Sequence, residues 1–392
     1  MARRHFVIVG GGGAGIEAAA ALRQADPEAR IAVWTDEDVP YYARIRLGEV
    51  VDGRSRPEDL FLRLPSWWDE QRIELRLGVT AEGIDPAQGR VRDREGTWTP
   101  WDALLLATGA RPFLPPIPGI DRPEVVTLRR MRDALAIRDR LAEGRRAVVL
   151  GGGLLGLELA ASLARAGLGT TVVEAAPWLL PRQVDREGGE VLRAVLEQKG
   201  IGFRLGTTAL GLEGGAGTGC RVGLSSGESL EADLVPVMAG VRAETSLARS
   251  AGLEVASGIR VDDGMRTSAP GVFAAGDCAE HRSGLYGFWS AATEQGRAAG
   301  RAMATGGGPY QGSLRATTLK VTDVALFSIG DLQGPAAREE RHREGDRYRC
   351  IRLDGEGRVL GAVLIGDLGL RKSLTLAMMS GKEWDPQQGG RP

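Results

Sequence analysis

Phe6-Val7-Ile8-Val9-Gly10-Gly11-Gly12-Gly13-Ala14-Gly15 is the stretch that decides the fold. Four apolar, β-prone residues in unbroken succession suit a parallel strand buried on both faces. The glycines that follow satisfy G-x-G-x-x-G at Gly10, Gly12 and Gly15. Gly10 would permit the tight turn, Gly12 the approach of backbone to a pyrophosphate, and Gly15 the packing of helix on strand, with Gly13 and Ala14 completing the cradle. A helix is predicted over residues 16–24 and a second strand over residues 30–34, ending at Asp36-Glu37. The helix N-terminus presents free N–H groups and the positive end of a dipole to phosphate. An acid about twenty residues beyond the glycines accepts hydrogen bonds from a ribose diol.

The same grammar returns at Ala147-Val148-Val149-Leu150, followed by Gly151-Gly152-Gly153-Leu154-Leu155-Gly156. A helix is predicted over residues 157–166, then the strand Thr170-Thr171-Val172-Val173 with Glu174 at its end. Gly151, Gly153, Leu154, Leu155 and Gly156 would form the second cradle. Glu174 would hold a 2′-hydroxyl and repel a 2′-phosphate, and no Arg or Lys follows it directly, so NADH is expected in preference to NADPH. Arg182 could fold back towards that site.

Two dinucleotide folds imply two dinucleotides, and the remaining chain shows which segment completes which fold. An apolar strand from Trp101 ends in Ala107-Thr108-Gly109, and Ala232-Asp233-Leu234-Val235-Pro236-Val237-Met238-Ala239-Gly240 repeats that design. A further strand ends in Gly276-Asp277, with a helix predicted over residues 288–303. The expected fold class is α/β: two Rossmann-like domains, the second inserted in the first, plus a small α+β C-terminal domain. The expected boundaries are 1–113 with 239–310, 114–238, 311–380, and a disordered tail over 381–392. In the third domain strands are predicted near 317–321, 325–329, 348–353 and 359–364, and a helix over 368–379. Arg338-Glu339-Glu340-Arg341-His342-Arg343-Glu344 reads as a solvated loop that could face an acidic electron carrier.

Composition narrows the function class. The chain has 392 residues, 43% hydrophobic and 26% charged, with a formal net charge of −1, so nothing global points to nucleic acid or a membrane surface. Its 57 glycines are about twice the usual share of ~7%. The apolar run before Gly10 is too short for a signal peptide, and no segment reaches the ~18 apolar residues of a membrane span. Cys220, Cys278 and Cys350 are far apart and odd in number, which suits a reducing, cytoplasmic setting. His5, His281 and His342 have no partner at metal-ligand spacing, so no metal is expected.

Taken together, residues 10–15, Ala107-Thr108-Gly109, residues 151–156 and Gly276-Asp277 resemble the pyridine nucleotide–disulfide oxidoreductase superfamily. Within it, Pro40-Tyr41-Tyr42-Ala43-Arg44, Leu180-Pro181-Arg182-Gln183-Val184-Asp185, Ala274-Ala275-Gly276-Asp277-Cys278-Ala279-Glu280 and Thr318-Leu319-Lys320-Val321 look most like NADH:rubredoxin oxidoreductases and the flavin module of assimilatory nitrite reductases. The resemblance covers about residues 4–330. It implies FAD and NADH as cofactors. It would set Asp36 and Glu37 at the adenosine ribose, Val79 at the adenine by backbone contacts, and Ala107, Thr108 and Gly109 near the pyrophosphate. Arg44 would lie along the flavin and Asp277 at the ribityl chain. Trp289 would lie near the flavin, its alternative being an ordinary buried aromatic. Glu158 would face the nicotinamide, and Gly240 and Val241 would border the NADH channel. One departure is Arg44-Ile45, where relatives carry Arg-Pro; another is Arg242-Ala243, where a Pro commonly follows Arg.

Disulfide-reducing members need a cysteine beside the flavin near residue 43, and this chain has Ala43 there. A methyl group cannot replace a thiolate. With the cofactor carrying the redox change, electrons would pass to an external acceptor, rubredoxin or a similar small iron–sulfur protein. The alternatives are a nucleotide-responsive FAD/NAD-binding protein with little turnover, or an NADH oxidase reducing oxygen directly. Cys278 reads as packing and His281 as a surface residue. The third domain would serve acceptor docking or homodimer formation.

Overall fold

A computed structural model describes residues 3–215, 219–314, 316–321 and 324–385, the stretch 317–321 by its backbone alone. The chain divides into two compact units. One comprises Met1–Arg44, Pro57–Arg111 and Val241–Ser313, the other Ile45–Arg56, Pro112–Gly240 and Leu314–Pro392.

The first unit is built on a parallel sheet ordered Val272–Ala274, Ala103–Leu106, His5–Val9, Arg30–Trp34, Ile73–Arg76. Apart from His5 and Arg30 at their starts, its central strands are apolar because both faces are covered: Val7, Ile8, Leu104, Leu105 and Leu106 are all fully buried. Parallel neighbours need a crossover, and the first is the helix Gly13–Ala25. The helix Trp289–Thr305 packs against it at a distance that only glycine permits. A Cβ on Gly296 would fall 2.2 Å from the Ala14 carbonyl oxygen, and one on Gly300 would fall 2.4 Å from that of Ala18. An antiparallel meander, Ala81–Asp85, Arg90–Asp93 and Trp98–Pro100, completes the unit's main elements.

The second unit repeats the plan with the parallel strands Arg146–Leu150, Gly169–Glu174 and Ile201–Leu205 and the helices Leu154–Arg165 and Arg186–Gln198. After the meander Ala209–Gly214, Cys220–Leu224 and Ser229–Ala232, the chain returns beside the first strand through the parallel bridges Ala147–Leu234 and Leu150–Val237. The same unit holds an antiparallel sheet ordered Ala316–Val321, Val324–Gly330, Val359–Ile365, Arg347–Leu353, Arg338–Glu344. The helix Arg371–Ser380 covers one face of that sheet, burying Phe327, Ile351 and Leu374. Two hydrogen bonds fasten this sheet to the nucleotide fold: Tyr348 Oη donates to Asp185 at 2.6 Å, and Gln333 Nε2 donates to the Pro181 carbonyl at 2.7 Å.

Residues 45–56, read from sequence as part of the first domain, group with the second unit. Gly48 lies so near the helix Leu154–Arg165 that a Cβ on it would come 2.7 Å from Ser162 Oγ. The Asp52 carboxylate, with its side chain 1% exposed, pairs with Arg54 and Arg165 at 2.9 Å each. The charged run 338–344 is also a correction, since it is a strand rather than a loop. It pairs along its whole length with Arg347–Leu353, and it lacks apolar alternation because it lies at the edge of its sheet. Within the expected tail, Trp384 is buried in the core under the last helix and Glu383 bridges to Arg358. Residues 386–392 lie outside the described residues. Among the described residues no helix is long and apolar enough to cross a membrane.

Gly300→Ala forces a carbon onto backbone, so it should cost about 1–3 kcal/mol and lower the thermal unfolding midpoint by several degrees. An unchanged midpoint would show that the two helices are not in the tight contact described.

Candidate functional site: two dinucleotide cradles

Each unit leads its first strand into a glycine of positive φ, +123° at Gly10 and +118° at Gly151. A Cβ at Gly10 would lie 2.0 Å from the Ala107 carbonyl oxygen, and one at Gly151 would lie 2.4 Å from that of Met238. At Gly15 and Gly156 a Cβ would fall 2.0 Å from the carbonyl oxygens of Gly10 and Gly151 respectively. The hydrogen bonds match as well. Gly10 N–H donates to Trp34 O and Gly151 N–H to Val173 O, while Ala107 N–H donates to Val9 O and Met238 N–H to Leu150 O, all at 2.8 Å. The middle glycines, Gly12 and Gly153, face open space and cap their helices in extended conformation without a side-chain cap. Both helices start three residues ahead of expectation, so Gly13, Ala14 and Gly15, and Leu154, Leu155 and Gly156, form first turns. Their N–H groups are those a helix leaves without an intrahelical partner. Oriented donors, a positive helix end and no intervening side chain fit a pyrophosphate.

Around the first cradle, Asp36 is exposed while Glu37 is partly buried. The Glu37 carboxylate accepts from Tyr42 Oη and from Arg44, at 2.7 Å each. The Arg44 guanidinium lies over the Tyr42 ring, 5.1 Å from its centroid. Burial opposes its charge, but Tyr42, Glu37 and Asp277 more than compensate and hold Arg44 above its ordinary pKa. Asp277 follows Gly276, whose N–H donates to the buried Gln295 side chain at 2.8 Å. Thr108 Oγ1 donates to the Glu244 carbonyl at 2.7 Å, and Glu244 N–H donates to the Gly109 carbonyl at 2.9 Å, which fixes the Thr-Gly turn. Val79 N–H is taken by Thr35 O at 2.8 Å, so a backbone contact to a base there must use the Val79 carbonyl. Trp289 is not an ordinary core aromatic. It is 56% exposed, donates Nε1 to Tyr41 Oη at 3.0 Å and lies against Gly13. Ile45, beside Arg44 in sequence, is 66% exposed.

In the second cradle Glu174 is tied to the glycine turn itself: one oxygen accepts from Gly152 N–H at 2.6 Å, the other from Ala176 N–H at 2.7 Å. Strand register pairs Val9 with Trp34 and Leu150 with Val173, so the first-cradle counterpart of Glu174 is Thr35, and the acids Asp36 and Glu37 come one and two residues later. Sequence reading missed Thr35 and Gly152, for which this register was the available signal. Glu158, in the helix behind Gly156, is partly buried, and its carboxyl is pushed up to about 7, first by burial and then by the charge of Glu49. Glu49 stays below the usual carboxylate range because Arg46 and Ser55 donate to it. No signal in the sequence placed Glu49 near Glu158. Leu155 is 40% exposed, Arg182 is exposed, and Gly240 forms an exposed turn whose carbonyl accepts from Phe113 N–H at 2.9 Å.

All three cysteines are buried and unpaired. Burial raises the Cys278 thiol, which donates to the Leu106 and Ala275 carbonyls. His281 departs from expectation: it is 1% exposed, with Nε2 2.8 Å from Asp263 and its ring 4.9 Å from that of Tyr310. The partners that bury it are distant in sequence. Among the described residues no group of three or more His, Cys, Asp or Glu could hold a metal ion.

Compared with known proteins, residues 4–296 match the family described as pyridine nucleotide-disulphide oxidoreductase, and residues 316–382 match the rubredoxin NAD+ reductase C-terminal domain. The chain is similar to the NAD(P)H nitrite reductase of Bacillus subtilis, at 35% identity over 94% of this chain and 46% of that protein. It is also similar to the ferredoxin–NAD(+) reductase component of the anthranilate 1,2-dioxygenase system of Burkholderia cepacia, at 34% identity over 99% of this chain and 97% of that one. Among solved structures, the ferredoxin reductase for the CYP199A2 system from Rhodopseudomonas palustris superposes with a TM-score of 0.87 at 29% identity, covering 99% of this chain and 98% of that one. The chain spans less than half the length of the nitrite and nitrate reductase relatives it matches.

The raised Glu158 carboxyl sets a pH dependence. Below about pH 4.5 the carboxyl is protonated in folded and unfolded chains alike; as pH rises through about 7 the native state must ionise a partly buried group, and stability is lost. Glu158→Gln should therefore raise the unfolding midpoint at about pH 8.5 and leave it nearly unchanged near pH 4.5. A gain of equal size at both values would contradict the assignment.

Proposed function

The chain belongs to the pyridine nucleotide-disulphide oxidoreductase family, and we propose that it is an FAD-dependent oxidoreductase that oxidises NADH and delivers the electrons to a small iron–sulfur protein. The observation that carries this reading is the pair of cradles of one geometry in a chain whose cysteines are all buried and unpaired. FAD bound in the first cradle would supply the redox chemistry, accepting a hydride from NADH and releasing electrons to the acceptor.

The residues divide by cradle. The turn at Gly10, Gly12, Gly13, Ala14 and Gly15 holds the FAD pyrophosphate, with Ala107, Thr108 and Gly109 closing that site. Asp36 and Glu37 take the ribose, and the Val79 carbonyl takes the adenine. Arg44, Asp277 and Trp289 line the remainder. In the second unit Gly151, Gly153, Leu154, Leu155 and Gly156 hold the NADH pyrophosphate and Glu174 its ribose. The Glu174 carboxylate, fixed by Gly152 and Ala176, repels a 2′-phosphate and so favours NADH over NADPH. Glu158 faces the nicotinamide, and Gly240 borders its channel.

The acceptor class follows from the names of the relatives, a ferredoxin–NAD(+) reductase among them, and from the rubredoxin reductase match at the C-terminus. Ala43 supports the same choice, because no thiol in that position can take electrons first. The chain would act alone or as the flavin part of a longer reductase. Three unpaired thiols suit a reducing compartment, and the cytoplasm is the proposed location.

Anaerobic mixing of the FAD-loaded protein with NADH should bleach its absorbance rapidly, and NADPH should act at least about tenfold more slowly, the rate equivalent of about 1.4 kcal/mol of charge repulsion. Steady turnover should follow when rubredoxin or ferredoxin is added, and air alone should support little. Equal, slow bleaching by both nucleotides with no turnover on any carrier would remove the proposal.

A further inference from the structure

The antiparallel sheet of the second unit ends in an open edge, the strand Arg338–Glu344. Every residue of it except Glu340 is exposed. Edge strands present unpaired N–H and C=O groups to any passing chain, and proteins commonly guard them with charge. A guard of one sign would repel a second copy in every register. This strand carries both signs, in the order Arg338-Glu339-Glu340-Arg341-His342-Arg343-Glu344.

Laid antiparallel on itself and centred on Arg341, the order becomes complementary. Arg338 faces Glu344 and Glu339 faces Arg343, each pair occurring twice, while Glu340 lies opposite the His342 ring. Only Arg341 meets its own copy, and each Arg341 already pairs with Glu339 at 2.7 Å and Asp185 at 3.4 Å in its own chain. Other registers lose this match. Centring on His342 sets Glu340 against Glu344 and Arg341 against Arg343. Centring on Glu340 sets Glu340 against itself and leaves Arg343 and Glu344 opposite Ala337 and Ala336. Parallel, in-register pairing sets every charge against its like. Opposite charges directly across a strand pair stabilise it and like charges destabilise it, so one register is selected.

Two further observations agree. Among the described residues Arg343 and Glu344 have no ion-pair partner, whereas Arg338 pairs with Glu340 at 2.7 Å and Glu339 pairs with Arg341 and Arg352. The two unsatisfied charges are those that the self-pairing would meet, with Glu339 and Arg338 of the other copy. The strand is also firmly built. All seven of its residues are in register with Arg347–Leu353, whose Tyr348, Cys350 and Ile351 are buried, so the edge is a rigid template.

We propose that a second copy of this chain docks on this edge, antiparallel and centred on Arg341, so that two five-stranded sheets become one. A strand pair of this length buries less than the about 1,200–2,000 Å² of a standard stable interface. The dimer is therefore weak, and its charge pairs make it sensitive to salt.

Sedimentation velocity of the full FAD-loaded chain over a concentration series tests this. A concentration-dependent dimer should form at low salt and dissociate in about 1 M salt, where the Debye length falls to about 3 Å. Glu344→Arg places like charges opposite each other twice and should weaken association at least about tenfold. The double variant Arg338→Glu/Glu344→Arg restores opposite signs and should recover the dimer. A chain that stays monomeric at every concentration in low salt overturns the proposal. So does a dimer indifferent to salt or to Glu344→Arg, and so does a double variant that fails to recover association.

Discussion

The carbonyl oxygens of Ala107 and Met238 each press against a glycine, Gly10 and Gly151, at a separation that leaves no room for a Cβ. That contact lets the end of one strand lie directly behind the turn leaving its neighbour. It needs positive φ as well as the missing side chain, two conditions that glycine alone meets at little cost. Once it is made, Gly15 and Gly156 must close on the same turn, each helix starts flush with the strand ends, and its first N–H groups face outward. A larger residue at Gly10 or Gly151 would separate strand from turn and tilt the helix away. Both cradles therefore depend on one backbone arrangement, and they differ in the side chains around it. The first is surrounded by the Glu37–Arg44–Tyr42 cluster, Asp277 and Trp289, the second by Glu174 and by Glu158, whose carboxyl burial raises.

Much of this was legible because the decisive constraints are local. A glycine that must adopt positive φ announces itself by position, and an apolar run before it announces a buried strand. The reading stopped where contacts are distant. Residues 45–56 carry no mark of their allegiance, which rests on a bond from Arg165 to the buried Asp52. His281 looked like a surface residue because Asp263 and Tyr310, its partners, are remote in sequence. The helices start three residues earlier than the glycine pattern suggests because residues 13–15 and 154–156 serve both as the end of the turn and as the first helical turn. The charged strand at 338–344 has no periodic apolar signal to read, since its pairing is with a strand that carries the buried residues for both. Equating Asp36 and Glu37 with the position of Glu174 would have been an error of one or two residues, visible only in the strand register.

Sulfur chemistry is where the chain parts from the name of its family. Its thiols are buried, their pKa values are raised chiefly by burial, and none lies beside another. A buried, protonated thiol is a poor nucleophile and a poor electron relay. The polypeptide's part is then positional and electrostatic: each unit offers a cradle shaped for a dinucleotide with acidic side chains beside it, and none of the three thiols is placed to change oxidation state.

The central claim, that no group of the polypeptide stores electrons, is tested most directly by anaerobic reductive titration of the FAD-loaded protein. The account predicts that one NADH, or two electrons from dithionite, exhausts the visible absorbance of each chain with no further uptake. Consumption of a second pair of electrons, with titratable thiols appearing alongside it, would contradict the account.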